Sequence, residues 1–195
     1  MRRRHLLMAT VLLALGAAGA ARPAKAAKSA KPDRAETREY RTANGAFRLE
    51  VVQGSPALLE LFQRKNGKEK SRWSLQLAVP PRHALISESG KWVAVFDVPA
   101  PKDGSRPAVR LFDEQGALAK SFVLADLLSA EEIASMPQTD GNVHWAGVMR
   151  GPTHRFEEDT GALVLGIAAG ELPGAAGEPT RIRRRIELAT GTVSR

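Results

Sequence analysis

Residues 89–118 read SGKWVAVFDVPAPKDGSRPAVRLFDEQGAL. Two apolar runs, Trp92–Val98 and Val109–Phe112, lie between glycine-bearing turn signals, Glu88-Ser89-Gly90 in front and Asp113-Glu114-Gln115-Gly116 behind. The runs are short and rich in β-branched and aromatic residues, which predicts two strands joined by the loop 98–106. In 91–97 Trp92, Ala94 and Phe96 alternate with Val93 and Val95. Both faces are apolar, so this strand is expected to be covered on both sides.

The same frame occurs before and after this stretch. NGAFRLEVV and ALLELFQRKNGK lie in 44–68, and TGALVLGIA and TRIRRRIELATGTV lie in 160–193. Each copy has a turn glycine (Gly45, Gly90, Gly161), a strand, a connecting loop, and a second strand ending at another glycine (Gly67, Gly116, Gly191). The glycine spacings are 22, 26 and 30 residues, and the loops at about 53–56, 98–106 and 169–179 absorb most of that drift. A constant frame with variable loops is the mark of a structural repeat. Flanking apolar runs, such as 82–87 and 117–124 around the middle copy, predict four consecutive antiparallel strands per unit. Strand 162–168 is apolar on both faces. In 46–52 Arg48 and Glu50 alternate with Phe47, Leu49 and Val51, and in 181–187 charged residues alternate with Ile182 and Ile186. The terminal units therefore predict one partly wet face each, as the ends of a stack require.

The turn-and-strand rhythm of 44–193, clearest in SESGKWVAVFD and VRLFDEQGALAKSF, resembles the blades of a β-propeller of the WD40-like, exported bacterial kind. That resemblance implies an all-β fold of antiparallel four-stranded units. The Gly-His and Trp-Asp signature of WD40 repeats is absent, and three units are fewer than the usual minimum of about four blades. An open array or a twisted sandwich is the expected arrangement. One short helix is predicted at SAEEIASMP, with Ser129 as N-cap, Glu132 at the capping-box position and Pro137 as stop.

The ends of the sequence read differently. MRRRH followed by LLMATVLLALGAAGA has the form of a signal peptide over 1–20, which predicts export to the periplasm or the extracellular space and no stable membrane span after cleavage. Residues 21–41, rich in Ala, Lys and Pro, read as a disordered basic tether. The formal net charge of +8 resides largely in residues 1–41 taken together. Residues 42–195, read as one domain, hold 19 basic and 18 acidic side chains, so no basic face for nucleic acid is expected. The absence of cysteine excludes disulfides and thiolate metal ligands.

Several groups invite a chemical reading. Asp159-Thr160-Gly161 matches the aspartic-protease tripeptide, but it falls at the turn position of the repeat and reads as a hairpin turn. His144, His154 and Glu157 are the first candidates for a metal site, since two imidazoles and a carboxylate are the donors such a site needs. The same histidines also read as ordinary loop residues. Trp145, beside His144, is the candidate aromatic platform, whereas Trp73 and Trp92 read as core. Arg181, Arg183 and Arg185 form a line of charge on one strand face, suited to an acidic partner or to guarding an edge strand. No G-x-S-x-G, phosphate-loop or His-Glu-x-x-His motif occurs. The expected function is non-catalytic, with no cofactor. It is an envelope binding or scaffold protein that takes a protein or glycan through the loops 98–106, 137–143 and 169–179, as a monomer or an edge-paired homo-oligomer. The alternative is a metal-dependent hydrolase centred on His144, His154 and Glu157.

Overall fold

The structure, a computed structural model, describes residues 36–146, 154–168 and 181–195. The protein is all-β, built from antiparallel sheets. Strands β1 (Thr37–Arg41), β2 (Phe47–Val52), β3 (Ala57–Lys65) and β4 (Lys68–Leu77) pair in chain order as the first sheet. β5 (His83–Ile86) and β6 (Val93–Phe96) begin the second sheet. β7 (Ala100–Pro101) leaves it, and β8 (Val109–Phe112) and β9 (Leu118–Phe122) complete it in the order β5-β6-β8-β9. Two short helices follow, α1 (Leu124–Leu127) and α2 (Ala130–Ser135). β10 (Gln138–Thr139) and β11 (Asn142–Val143) join β7 in a small three-stranded sheet. β12 (His154–Glu157), β13 (Ala162–Ala168), β14 (Arg181–Glu187) and β15 (Val193–Ser194) form the third four-stranded sheet.

The three repeats thus become three sheets of the same connectivity. All six frame glycines have left-handed φ values, from 59° at Gly161 to 81° at Gly116. The α2 capping box forms as the sequence predicts, with Glu132 N donating to Ser129 Oγ and Ser129 N donating to the Glu132 carboxylate.

Three expectations are corrected. Residues 37–41 are not tether but strand β1, in register with β2 from Thr37↔Val52 to Arg41↔Arg48. Period-two alternation explains this: Arg38 and Tyr40 turn towards the body while Thr37, Glu39 and Arg41 face water. The helical region holds two helices, because Asp126 reaches back to the N–H of Val123 at 2.8 Å and closes an extra turn before α2. The apolar run His144–Met149 also reads as a strand in the sequence, but no strand runs from His144 through Ala146, and residues 147–149 lie outside the described residues.

Stacking follows from the side-chain patterns. Leu49, Val51, Leu59 and Leu61 of the first sheet pack with Val93, Val95 and Phe112 on one face of the second. The opposite face, with Ala94, Phe96, Val109 and Leu111, packs with Leu163, Leu165, Ile167 and Ile186 of the third, together with both helices. The middle sheet is covered on both sides, so β6 is buried at every position.

The outer faces of the end sheets are charged. On the first, Arg48 lies over the ring of Phe62 at 4.2 Å and pairs with Glu50 and Glu69. On the third, Arg155 and Arg185 share Glu157. Such faces cannot bury another apolar sheet cheaply, so the stack ends at both of them.

The seams between sheets repeat as well. Glu88, in the first turn of the second sheet, accepts hydrogen bonds from Ala43 N (2.7 Å) and Asn44 N (3.1 Å) in the equivalent turn of the first. Glu158 of the third sheet accepts from Ser89 N of the second at 3.4 Å. Acids beside the turn glycines therefore clip each unit to the one before it.

Candidate functional site

Asp159-Thr160-Gly161 is a turn. Glu158–Thr160 make one 3-10 turn, and Gly161 closes it at φ 59° and ψ 42°, a conformation costly for any residue with a Cβ. The Thr160 hydroxyl bonds back to Glu157.

The fold holds the three metal candidates apart. His154 opens β12 opposite Leu165 and is 6% exposed. Its ring stacks on Phe96 with centroids 4.8 Å apart, and its Nδ1 accepts from Gly166 N at 3.3 Å. Burial strips water from the charged imidazolium and the neighbouring His83 adds repulsion, so the His154 pKa falls to about 4. Glu157 lies three residues along the same strand, and alternation turns it to the opposite face. There Arg155 first, and Arg185 as well, hold its carboxyl below the ordinary range. His144 is exposed on the loop after β11, its N–H bonded to Pro137 O. Among the described residues no three His, Asp or Glu side chains converge as metal donors.

The tryptophans exchange their expected roles. Trp145 has no exposed surface and donates Nε1–H to Asp97 O at 2.8 Å, which makes it core. The reason is tertiary: β11 docks on β7 and draws Trp145, two residues further on, against the stacked rings of Phe96 and His154. Trp73 is buried as expected, but Trp92 is only partly buried.

The arginine line is also divided. Arg181 pairs in register with Ala168. Arg183 is exposed, and Arg185 is engaged with Glu157 and with Thr160 O. Arg184, which the alternating pattern hides among Ile182 and Ile186, turns inward and is 5% exposed. It bonds Leu127 O and the Glu132 carboxylate.

Two features emerge from the tertiary structure. The first is a run of rings along the first strands of the three sheets. Tyr40 meets His83 edge-on at 5.4 Å, and His83 lies 6.4 Å from His154. His83 keeps solvent contact, and desolvation on its covered side lowers its pKa. The second is an opening of about 230 Å³ at the seam between the second and third sheets. Trp92, Phe156 and Leu188 give its apolar lining, and Ser89, Lys91 and Glu158 are polar and exposed. Glu157 also lines it. No sequence signal marked His83, Tyr40 or this opening, because each depends on residues from different sheets.

No protein-family model matches the chain, and no curated protein matches it. Among solved structures, hydrazine synthase from Kuenenia stuttgartiensis aligns with 78% of this chain at 14% identity and a TM-score of 0.41. The chain spans 39% of that structure's length.

Proposed function

We propose that this is an exported, non-catalytic binding or scaffold protein of the cell envelope. Its three sheets serve as propeller-like blades of the WD40-like kind, stacked in an open array. One observation carries the reading. The loops 98–106 and 137–143, far apart in sequence, are zipped together through Asn142↔Pro101 and Val143↔Ala100, with Lys102 N also bonded to Gly141 O. Lys102, Asp103, Thr139, Asp140 and His144 stay exposed on this clasped pair. Loops held on a rigid scaffold are where binding residues concentrate, and fixing them beforehand lowers the entropy lost on association. The partner is a protein or glycan of the envelope. The third loop proposed for binding, 169–179, lies outside the described residues.

Photo-crosslinking in cells tests this reading. A photoreactive residue at Asp103 or Thr139 is expected to trap one discrete envelope component. The same residue at Ser71, exposed on β4, serves as the control. Equal or absent trapping at all three sites would remove the proposal. Mass spectrometry of the mature N-terminus checks export: a chain retaining residues 1–20 in the cytoplasm contradicts it.

A further inference from the structure

We propose that the opening between the second and third sheets binds one saccharide ring of an envelope glycan, stacked on Trp92 and Phe156. Lys91, Ser89 and Glu158 would meet its hydroxyl rim. The inference deepens the binding reading above and rests on it.

The two seams of the stack make the case. At the first, Phe47, two residues after Gly45, packs so tightly on Gly90 that a Cβ there would lie 2.3 Å from its ring. Trp92 is the corresponding residue of the next unit, two after Gly90, and Gly161 corresponds to Gly90. Tryptophan is larger than phenylalanine, so the second seam would be expected to close at least as fully. Instead, no atom outside its immediate neighbours comes within 4 Å of where a Cβ on Gly161 would stand. Trp92 remains partly exposed, with about 230 Å³ of space beside it. The repeat therefore places an aromatic surface at a joint and leaves the joint open.

The lining selects the ligand. Lys91 and Glu158 carry opposite charges, and Arg155 and Arg185 already offset Glu157. A strongly charged ligand would meet repulsion as well as attraction. A neutral ring with apolar C–H faces and a rim of hydroxyls satisfies both the aromatic and the polar parts of the lining. Pockets for drug-sized ligands span roughly 300–1,000 Å³. This smaller space suits one ring, with the remainder of a polymer outside.

The full chain is tested by ligand-observed NMR against glucose, galactose and N-acetylglucosamine at millimolar concentration. At least one sugar is expected to receive saturation from the protein, strongest at its ring C–H protons. Trp92→Ala should weaken that sugar's binding at least tenfold. Because Trp92 also touches the core, the exposed changes Lys91→Ala and Glu158→Gln provide a second measure. Each should weaken binding several-fold, and Lys91→Ala, whose side chain takes no part in the seam between the sheets, should do so while leaving the melting temperature unchanged. No transfer to any of the three sugars overturns the proposal. So does binding that survives Trp92→Ala, or wild-type affinity in both folded exposed variants. If the sugars fail while Asp103 and Thr139 still trap a partner, the broader binding reading stands and the saccharide site does not.

Discussion

The guanidinium of Arg184, on the inward face of β14, closes on the carboxylate of Glu132, the residue that also caps α2. Arg184 donates to Leu127 O as well, so one side chain ties both helices to the third sheet. The Glu132 side chain keeps 25% of its exposure, while that of Arg184 keeps 5%. Glu132→Ala would leave a buried cation with only carbonyl partners. Breaking a buried pair costs about 3–5 kcal/mol, and the partial exposure of Glu132 brings the expected loss below that range, to about 2–3 kcal/mol. Urea denaturation measures it. Arg184→Met in the same background should restore part of the loss, since it removes the unpaired charge. A single-variant loss under about 1 kcal/mol would show that the pair contributes little.

Gly90 and Gly161 occupy the same position in successive repeats and should respond differently to alanine. Both have left-handed φ values, which cost a residue with a Cβ about 1–2 kcal/mol. At Gly161 that is the whole expected effect, because the added methyl meets open space. At Gly90 it meets the ring of Phe47, itself 5% exposed and held in the core. Overpacking adds about 1–3 kcal/mol there. Parallel thermal melts should rank Gly90→Ala well below Gly161→Ala, and equal melting temperatures would contradict the tight first seam.

His154 makes stability depend on pH. Its folded pKa is about 4, below the ordinary value of 6.5. Between those values the unfolded chain takes up a proton that the native site refuses, so stability falls as pH drops from about 6.5 to about 4. Above that window the residue is neutral in both states and has no effect. Across it the expected loss reaches about 3 kcal/mol. His154→Phe, which keeps a ring against Phe96, should reduce the slope through the window, with His83, whose pKa is also lowered, contributing what remains. Denaturation curves at a series of pH values provide the measurement, and an unchanged slope in the variant would exclude His154 as the source.

The tryptophans give an optical check. Acrylamide should quench Trp92 emission efficiently and leave Trp73 and Trp145 largely protected, since the latter are 8% and 0% exposed. Trp92→Phe should remove most of the quenchable signal. Trp145→Phe should instead lower stability by about 1–3 kcal/mol, because Asp97 O loses its buried donor. Quenching that persists in Trp92→Phe would place an exposed tryptophan elsewhere.

Much of the fold was legible along the chain because its determinants are local. The glycines at 45, 90 and 161 recur where a hairpin needs φ > 0, and all three adopt it. Alternation in 91–97 told of a strand covered on both faces, and β6 is that strand. Charge alternating with apolar residues in 46–52 and 181–187 told of the two ends of a stack. The site was less legible. The period-two rule separates His154 from Glu157, three residues apart on β12, but it applies only once the structure shows that 154–157 is a strand. Arg184 was concealed among exposed-looking arginines because its partners, Leu127 and Glu132, lie more than fifty residues away.

Backbone conformation and strand periodicity belong to neighbouring residues, so sequence by itself determined the sheets, their turns and which faces are apolar. Which tryptophan is buried, which seam closes and which loops clasp depend on side chains brought together from separate sheets. Only the tertiary structure decided these, since packing is a property of the space between elements and a single strand contains just one side of it.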